Sequence, residues 1–312
     1  MRLIVLTIIG LISWSGLAQQ LDASQTRTDN ELKLNFSWLD RNQKKQNLGF
    51  GIPLDALKQQ QQKSKAYRPQ IADRHAYISL QKKAATYDHK QVQIKISQQP
   101  NALTWQVKSK DSDFEAKVRG ALHQAAQEAR QAYYQRNNYR LYESPWGETG
   151  VIPDHLHYMK VSVPAMKPLA KLIVERFPNA PARQVADYLL PFIQSIPYVT
   201  QDSRITSANL SYLPPLRVLE ENRGDCDSKA VLLAAIMKAV YPQLSMAMIY
   251  MPNHAMLGLR MPYLETDLKV QDQGINYIVA EVAGPAQIRL ASAGESSRNA
   301  ILNGNYSVLP MP

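Results

Sequence analysis

The run Ser228 to Tyr241, SKAVLLAAIMKAVY, is apolar almost all round at helical spacing. The fold must therefore enclose this helix on every side. Directly before it stand Gly224, Asp225, Cys226 and Asp227. The glycine supplies a turn and Asp225 a capping carboxylate, which puts Cys226 in the helix's first turn. Aligned peptide dipoles and N–H groups there favour the thiolate, the nucleophilic form of cysteine, and the same N–H groups suit an oxyanion. Asp225 and Asp227 work against this by repelling a second negative charge, so a histidine is needed to complete an ion pair. Cys226 is the only cysteine in 312 residues, which excludes an intrachain disulfide framework and any cysteine-cluster zinc or iron–sulfur site.

Of six histidines, only His254 follows Cys226. It lies between two strand-like runs, Met246 to Met251 and Ala255 to Arg260, with Pro252-Asn253 as the bend. After a polar excursion from Met261 to Gly274, the run Ile275 to Ala280 reads as the next strand and delivers Glu281 at its end. A carboxylate on a neighbouring strand holds an imidazole's second nitrogen, fixing its tautomer and stabilising the imidazolium. The order is cysteine on a helix start, histidine on a strand, acid on the next strand. His155 and His157 alternate like strand neighbours with no third ligand nearby, so no metal site is expected.

These residues carry a resemblance. The stretches FIQSIPY (Phe192 to Tyr198), LRVLEENRGDCDSKAVLL (Leu216 to Leu233) and YIVAEVAGP (Tyr277 to Pro285), with His254 heading a strand, resemble the transglutaminase-like superfamily of cysteine enzymes over roughly residues 165 to 290. The resemblance implies an α+β fold with a papain-like core and a Cys226–His254–Glu281 triad. The third member is usually aspartate, so Asp267 and Asp272 stand as rivals to Glu281. Gln194 matches a position that often carries glutamine, which implies an oxyanion donor. Ser228 stands where many bacterial relatives carry a second acid. No cofactor is implied.

Residues 2 to 18 read as a basic start, an apolar run and a small-residue end at Ala18, the pattern of an export signal. Cleavage after Ala18 is expected, giving a periplasmic or secreted chain with no transmembrane helix. Residues 19–140 hold 21 Lys/Arg against 11 Asp/Glu, whereas 141–312 hold 14 against 15. The basic excess in the first half suits an anionic envelope partner or simply a solvated surface, and export disfavours nucleic acid.

Alternation predicts strands at Leu32–Trp38, Tyr77–Leu80, Val92–Ile96 and Leu103–Val107, the last two joined as a hairpin, with Gln59–Lys65 an exposed loop. A long helix is expected from Ser112, with the Ser112 hydroxyl as cap and Glu115 reaching back. Further helices are expected at Ala165–Phe177 and from Pro181, the latter kinked or interrupted by Pro191. The expected division is a signal segment (1–18), a basic β-rich accessory domain (19–111), a long linking helix (112–145) and a transglutaminase-like catalytic domain (146–312). The expected function is an exported cysteine hydrolase, a protease or amidase acting on a protein or peptide. Transglutaminase-type acyl transfer to an amine and a non-catalytic envelope-binding module are the alternatives. Loops such as Thr200–Tyr212 and Met261–Gly274 would set specificity.

Overall fold

The computed structural model describes residues 19–63, 67–99, 102–199 and 212–312. The residues expected to form an export signal, the end of the Gln59–Lys65 stretch, Pro100-Asn101 and nearly all of the Thr200–Tyr212 stretch lie outside the described residues. The fold is α+β. Its centre is helix α8 (Cys226–Val240), in which every residue from Cys226 to Met237 is buried.

The all-round apolar helix is enclosed as its composition demands. On one side lies a five-stranded antiparallel sheet built from β8 (Met246–Met251), β9 (His254–Leu259), β10 (Lys269–Asp272), β11 (Ile275–Ala280) and β12 (Ser307–Met311), in the order β10-β11-β9-β8-β12. Around the rest pack α4 (His155–Ser162), α5 (Lys167–Arg176), α6 (Ala182–Ser195) and α7 (Pro215–Glu221). The sheet's other face carries α9 (Glu295–Leu302) and its own cluster of Ala247, Ile249, Met251, Met256, Val279 and Ile301. A strand covered on both faces has no polar side to offer. That explains why MAMIYM runs apolar without alternation.

The first half of the chain does not form one separate unit. Strands β1 (Gln20–Arg27), β2 (Glu31–Leu39) and β3 (Lys45–Pro53) make an antiparallel meander whose inner residues, Leu32, Leu34, Phe36 and Trp38 among them, join the same core as α8. The Phe36 and Trp38 rings each lie 5.1 Å from Phe192 of α6. A second, smaller core joins α2 (Pro69–Ala84), the β4–β5 hairpin (Val92–Gln99 and Ala102–Ser109) and α3 (Ser112–Arg136) through Ala76, Leu80, Val107, Val118 and Leu122. The hydrophobic clusters thus part at neither 111 nor 145.

Several local expectations are corrected. The stretch Gln59–Lys65 begins inside helix α1 (Leu54–Lys63), whose Leu57 and Gln60 are buried. Tyr77–Leu80 belongs to α2, where Ala72, Ala76 and Leu80 recur every four residues on the buried face. The cap of α3 is Asp111, not Ser112: its carboxylate accepts from the N–H groups of Asp113 and Phe114. Glu115 reaches back to Ser109 N–H instead. The chain leaves α3 at Arg136 and forms a hairpin of β6 (Tyr139–Glu143) and β7 (Thr149–Pro153), with Pro145-Trp146-Gly147 in its turn. His155 and His157 lie on α4, not on a strand. Helix α6 continues through Pro191 to Ser195, and the polar excursion contains β10.

The segment after β11 is clamped to α6. Gln194 Nε2 donates to the carbonyls of Glu281 at 2.7 Å and Ile288 at 2.9 Å. Gly284 packs so closely that a Cβ there would meet the Gln194 carbonyl oxygen at 2.1 Å. Because backbone on both sides must move to admit a methyl group, Gly284→Ala is expected to destabilise the fold by about 1–3 kcal/mol. Urea unfolding checks this, and an unchanged midpoint contradicts it.

Candidate active site

Asp225 caps α8 with its carboxylate on Ser228 N–H at 2.7 Å, and its carbonyl accepts Lys229 N–H at 3.0 Å. This sets Cys226 as the first helical residue, 6% exposed. Gly224 is needed for closeness rather than for an unusual φ: a Cβ would lie 3.3 Å from Ser228 Cβ and 3.4 Å from Val218. The segment after α6 pairs with this turn through Gly224 N–H to Pro197 O at 3.1 Å. That pairing brings Tyr198 alongside the helix start, within electrostatic reach of Cys226.

His254 opens β9 directly after the Pro252-Asn253 turn, with Asn253 in the left-handed region (φ 58°). Strand β11 pairs with β9 through Ala280 opposite Leu257. One further step of that register puts Glu281 opposite Met256, on the same face as His254 and diagonal to it, a spacing that long side chains span. The carboxylate meets the ring: His254 Nε2 lies 2.8 Å from Glu281 Oε1 and 3.0 Å from Oε2. Ala283 N–H also donates to Oε1 at 3.1 Å, and Glu281 is buried. The imidazole is also within interaction range of Cys226, which helps to raise its pKa. With Nε2 given to Glu281, Nδ1 is the nitrogen available to the sulfur.

The structure therefore brings Cys226, His254 and Glu281 together. It places the two rival acids elsewhere. Asp267 is held by Arg183 through two 2.8 Å contacts and accepts Leu264 N–H at 2.7 Å. Asp272 ends β10, the edge strand that does not touch β9. Gln194 is buried beside this segment, but both protons of its amide nitrogen are given to the Glu281 and Ile288 carbonyls. It has no N–H to offer an oxyanion in this geometry. Its place is structural, as a tie beneath Glu281. Ser228 is fully buried and accepts Leu213 N–H at 2.9 Å through its hydroxyl.

The two aspartates flanking the thiol each face a buried basic side chain; of these bases the sequence pointed to neither as a partner of the aspartates. Lys229, fully buried and one turn from Cys226, donates to the Ile196 carbonyl and lies 5.8 Å from the centre of the Tyr198 ring. Burial pulls its pKa down to about 8 against the opposing charges of Asp225, Cys226 and Glu281. His155, also fully buried, has Nε2 3.7 Å from Asp227 Oδ2 and Nδ1 2.5 Å from the Tyr250 hydroxyl. Asp227 Oδ1 in turn lies 3.5 Å from the sulfur. Tyr198 stays a phenol, held protonated by burial and by the charges of Cys226 and Asp225. A lysine inside an otherwise apolar, enclosed helix is the signal that points to Lys229, because a buried ammonium requires partners.

Burial disfavours the imidazolium of His254, but its interactions with Cys226 and Glu281, and their charges, outweigh that and push its pKa up to about 10. Such an arrangement keeps a protonated imidazole between a nucleophile and a carboxylate. Among the described residues, no group of three His, Cys, Asp or Glu side chains is placed to hold a metal ion, and no helix is long and apolar enough to cross a membrane.

No protein-family model matches the chain, and no curated protein matches it. Among solved structures it is similar to Legionella pneumophila LapG (EGTA-treated), at 12% identity and a TM-score of 0.30, over 51% of this chain and 80% of that one.

Two outcomes follow from the site's charges. A histidine whose pKa is raised on folding adds stability that is complete below its unfolded value of 6.5 and lost as pH rises through about 10. The difference in unfolding free energy between the native protein and His254→Gln is therefore expected to shrink across that window, and a pH-independent difference contradicts the assignment. Lys229→Met keeps length but removes the buried cation, so iodoacetamide should alkylate Cys226 several-fold more slowly at neutral pH, with helical content retained. An unchanged rate means that the sulfur does not feel Lys229.

Proposed function

We propose that the protein is an exported cysteine hydrolase of the transglutaminase-like superfamily, a protease or amidase acting on a protein or peptide in the periplasm or outside the cell. One observation carries the reading: His254 is held by Glu281 through Nε2 while the same ring interacts with Cys226 closely enough to raise its pKa. In the proposed cycle the Cys226 thiolate attacks an amide carbonyl, and the Cys226 backbone N–H at the start of α8 stabilises the oxyanion. His254 donates its proton to the leaving amine as the C–N bond breaks. The neutral ring then takes a proton from water, which attacks the thioester, and keeps it as the C–S bond breaks and the acid product leaves, restoring the thiolate–imidazolium pair. Glu281 keeps the ring oriented and supports its positive charge throughout.

Thiol reactivity tests the nucleophile. At a pH about two units below the ~8.5 of an ordinary thiol, iodoacetamide should label Cys226 at least tenfold faster than free cysteine, and His254→Ala should remove that advantage. Labelling no faster than free cysteine leaves only a binding module on the same fold. Product analysis with a glutamine peptide and a labelled amine then separates the reactions. Ammonia release or peptide cleavage without amine incorporation supports hydrolysis, whereas incorporation assigns acyl transfer instead.

A further inference from the structure

The basic first half of the chain takes no part in this chemistry. Within it, a cavity of about 730 Å³ opens between the start of α2 and the end of α3, in the size range of small-molecule sites. Tyr133 and Tyr139 line it and are only 7% and 5% exposed. His75, which also lines it, lies against Tyr133 with ring centroids 5.2 Å apart, and Tyr67 meets Tyr139 edge-on at 5.5 Å. The aromatic floor is thus fixed by neighbouring rings.

The rim is cationic. Arg68 precedes α2 and Arg136 ends α3, and no carboxylate lines the cavity. The nearby Asp73 is occupied, its Oδ1 taking Nε and Nη2 of Arg130 at 3.0 and 2.7 Å. Arg136 Nε donates to the Ala132 carbonyl at 3.2 Å, which leaves its two Nη groups as donors for a ligand. The Arg68 side chain makes no cap hydrogen bond at the start of α2, and its charge reaches Tyr133. Helix α2 also starts without a capping side chain or an acid in its first turn, so its positive end is uncompensated. Independently, the buried hydroxyl of Tyr139 has no hydrogen-bond partner among the described residues, an unusual state for a buried polar group.

We infer that this cleft binds a small anionic ligand carrying a ring, its carboxylate or phosphate between Arg68 and Arg136 and its ring on the tyrosine floor. Guanidinium groups suit both anions through paired N–H donors, and tyrosine faces supply rigid apolar contact. The site is separate from the Cys226 centre and does not rest on the proposed hydrolase reading.

Isothermal titration of the whole protein with phenyl phosphate, benzoate, inorganic phosphate and phenol tests it. At least one aryl anion should bind about tenfold or more tightly than phenol and than inorganic phosphate, and the better of the two names the anion. Binding should weaken at least tenfold in Arg68→Gln/Arg136→Gln, whose altered residues are exposed, and stay unchanged in Cys226→Ala. The inference is overturned if neither aryl anion binds at millimolar concentration, if the arginine variant binds equally well, if inorganic phosphate or phenol matches the aryl anions, or if Cys226→Ala abolishes binding.

Discussion

Helix α8 cannot stand at a surface, and the rest of the molecule is arranged around that constraint. Twelve consecutive buried residues, Cys226 to Met237, require a sheet on one side and helices on the others. The antiparallel sheet that meets this need also presents the β8–β9 turn and the end of β11, where His254 and Glu281 lie. Enclosing an apolar helix and assembling a polar constellation at its N-terminus are thus the same packing event. The tie from Gln194 to the Glu281 and Ile288 carbonyls holds the two together.

An enclosed helix start is a costly place for charge, because an unpaired ion loses its water there. The site answers by pairing. Asp225 caps the helix and faces Lys229, Asp227 faces His155, and Glu281 holds His254. The repulsion expected from the aspartates flanking Cys226 is thereby offset by the Lys229 cation beside Asp225, while Asp227 lies against the His155 ring. The side chain of Glu281 reaches the ring across the diagonal between neighbouring strands.

Much of this was legible in the sequence. The apolar run fixed α8, the Gly224–Asp227 turn placed the sulfur, and the order of runs after it led to His254 and Glu281. Where the reading failed, a physical reason can be named. Tyr77–Leu80 is too short a window to separate a strand from a helix, and only the longer Ala72, Ala76, Leu80 spacing decides it. The polarity of the glutamine run after Leu57 suggests a loop, but glutamine ranks well in helix propensity and the run continues α1. Gln194 was assigned by resemblance to a role that its amide protons cannot fill. The roles of Lys229 and His155 beside Asp225 and Asp227 depend on what faces them across the core, and one chain read in order does not display that.

The protonation state of one ring bears most directly on the account. Nitrogen-15 NMR of the His254 imidazole at about pH 8, well above the ~6.5 of an ordinary histidine, should find both nitrogens protonated in the native protein and a lower titration midpoint in Glu281→Gln. A neutral His254 ring at that pH in the native protein, with an ordinary histidine titration, would contradict the ion-paired site on which the proposed chemistry rests.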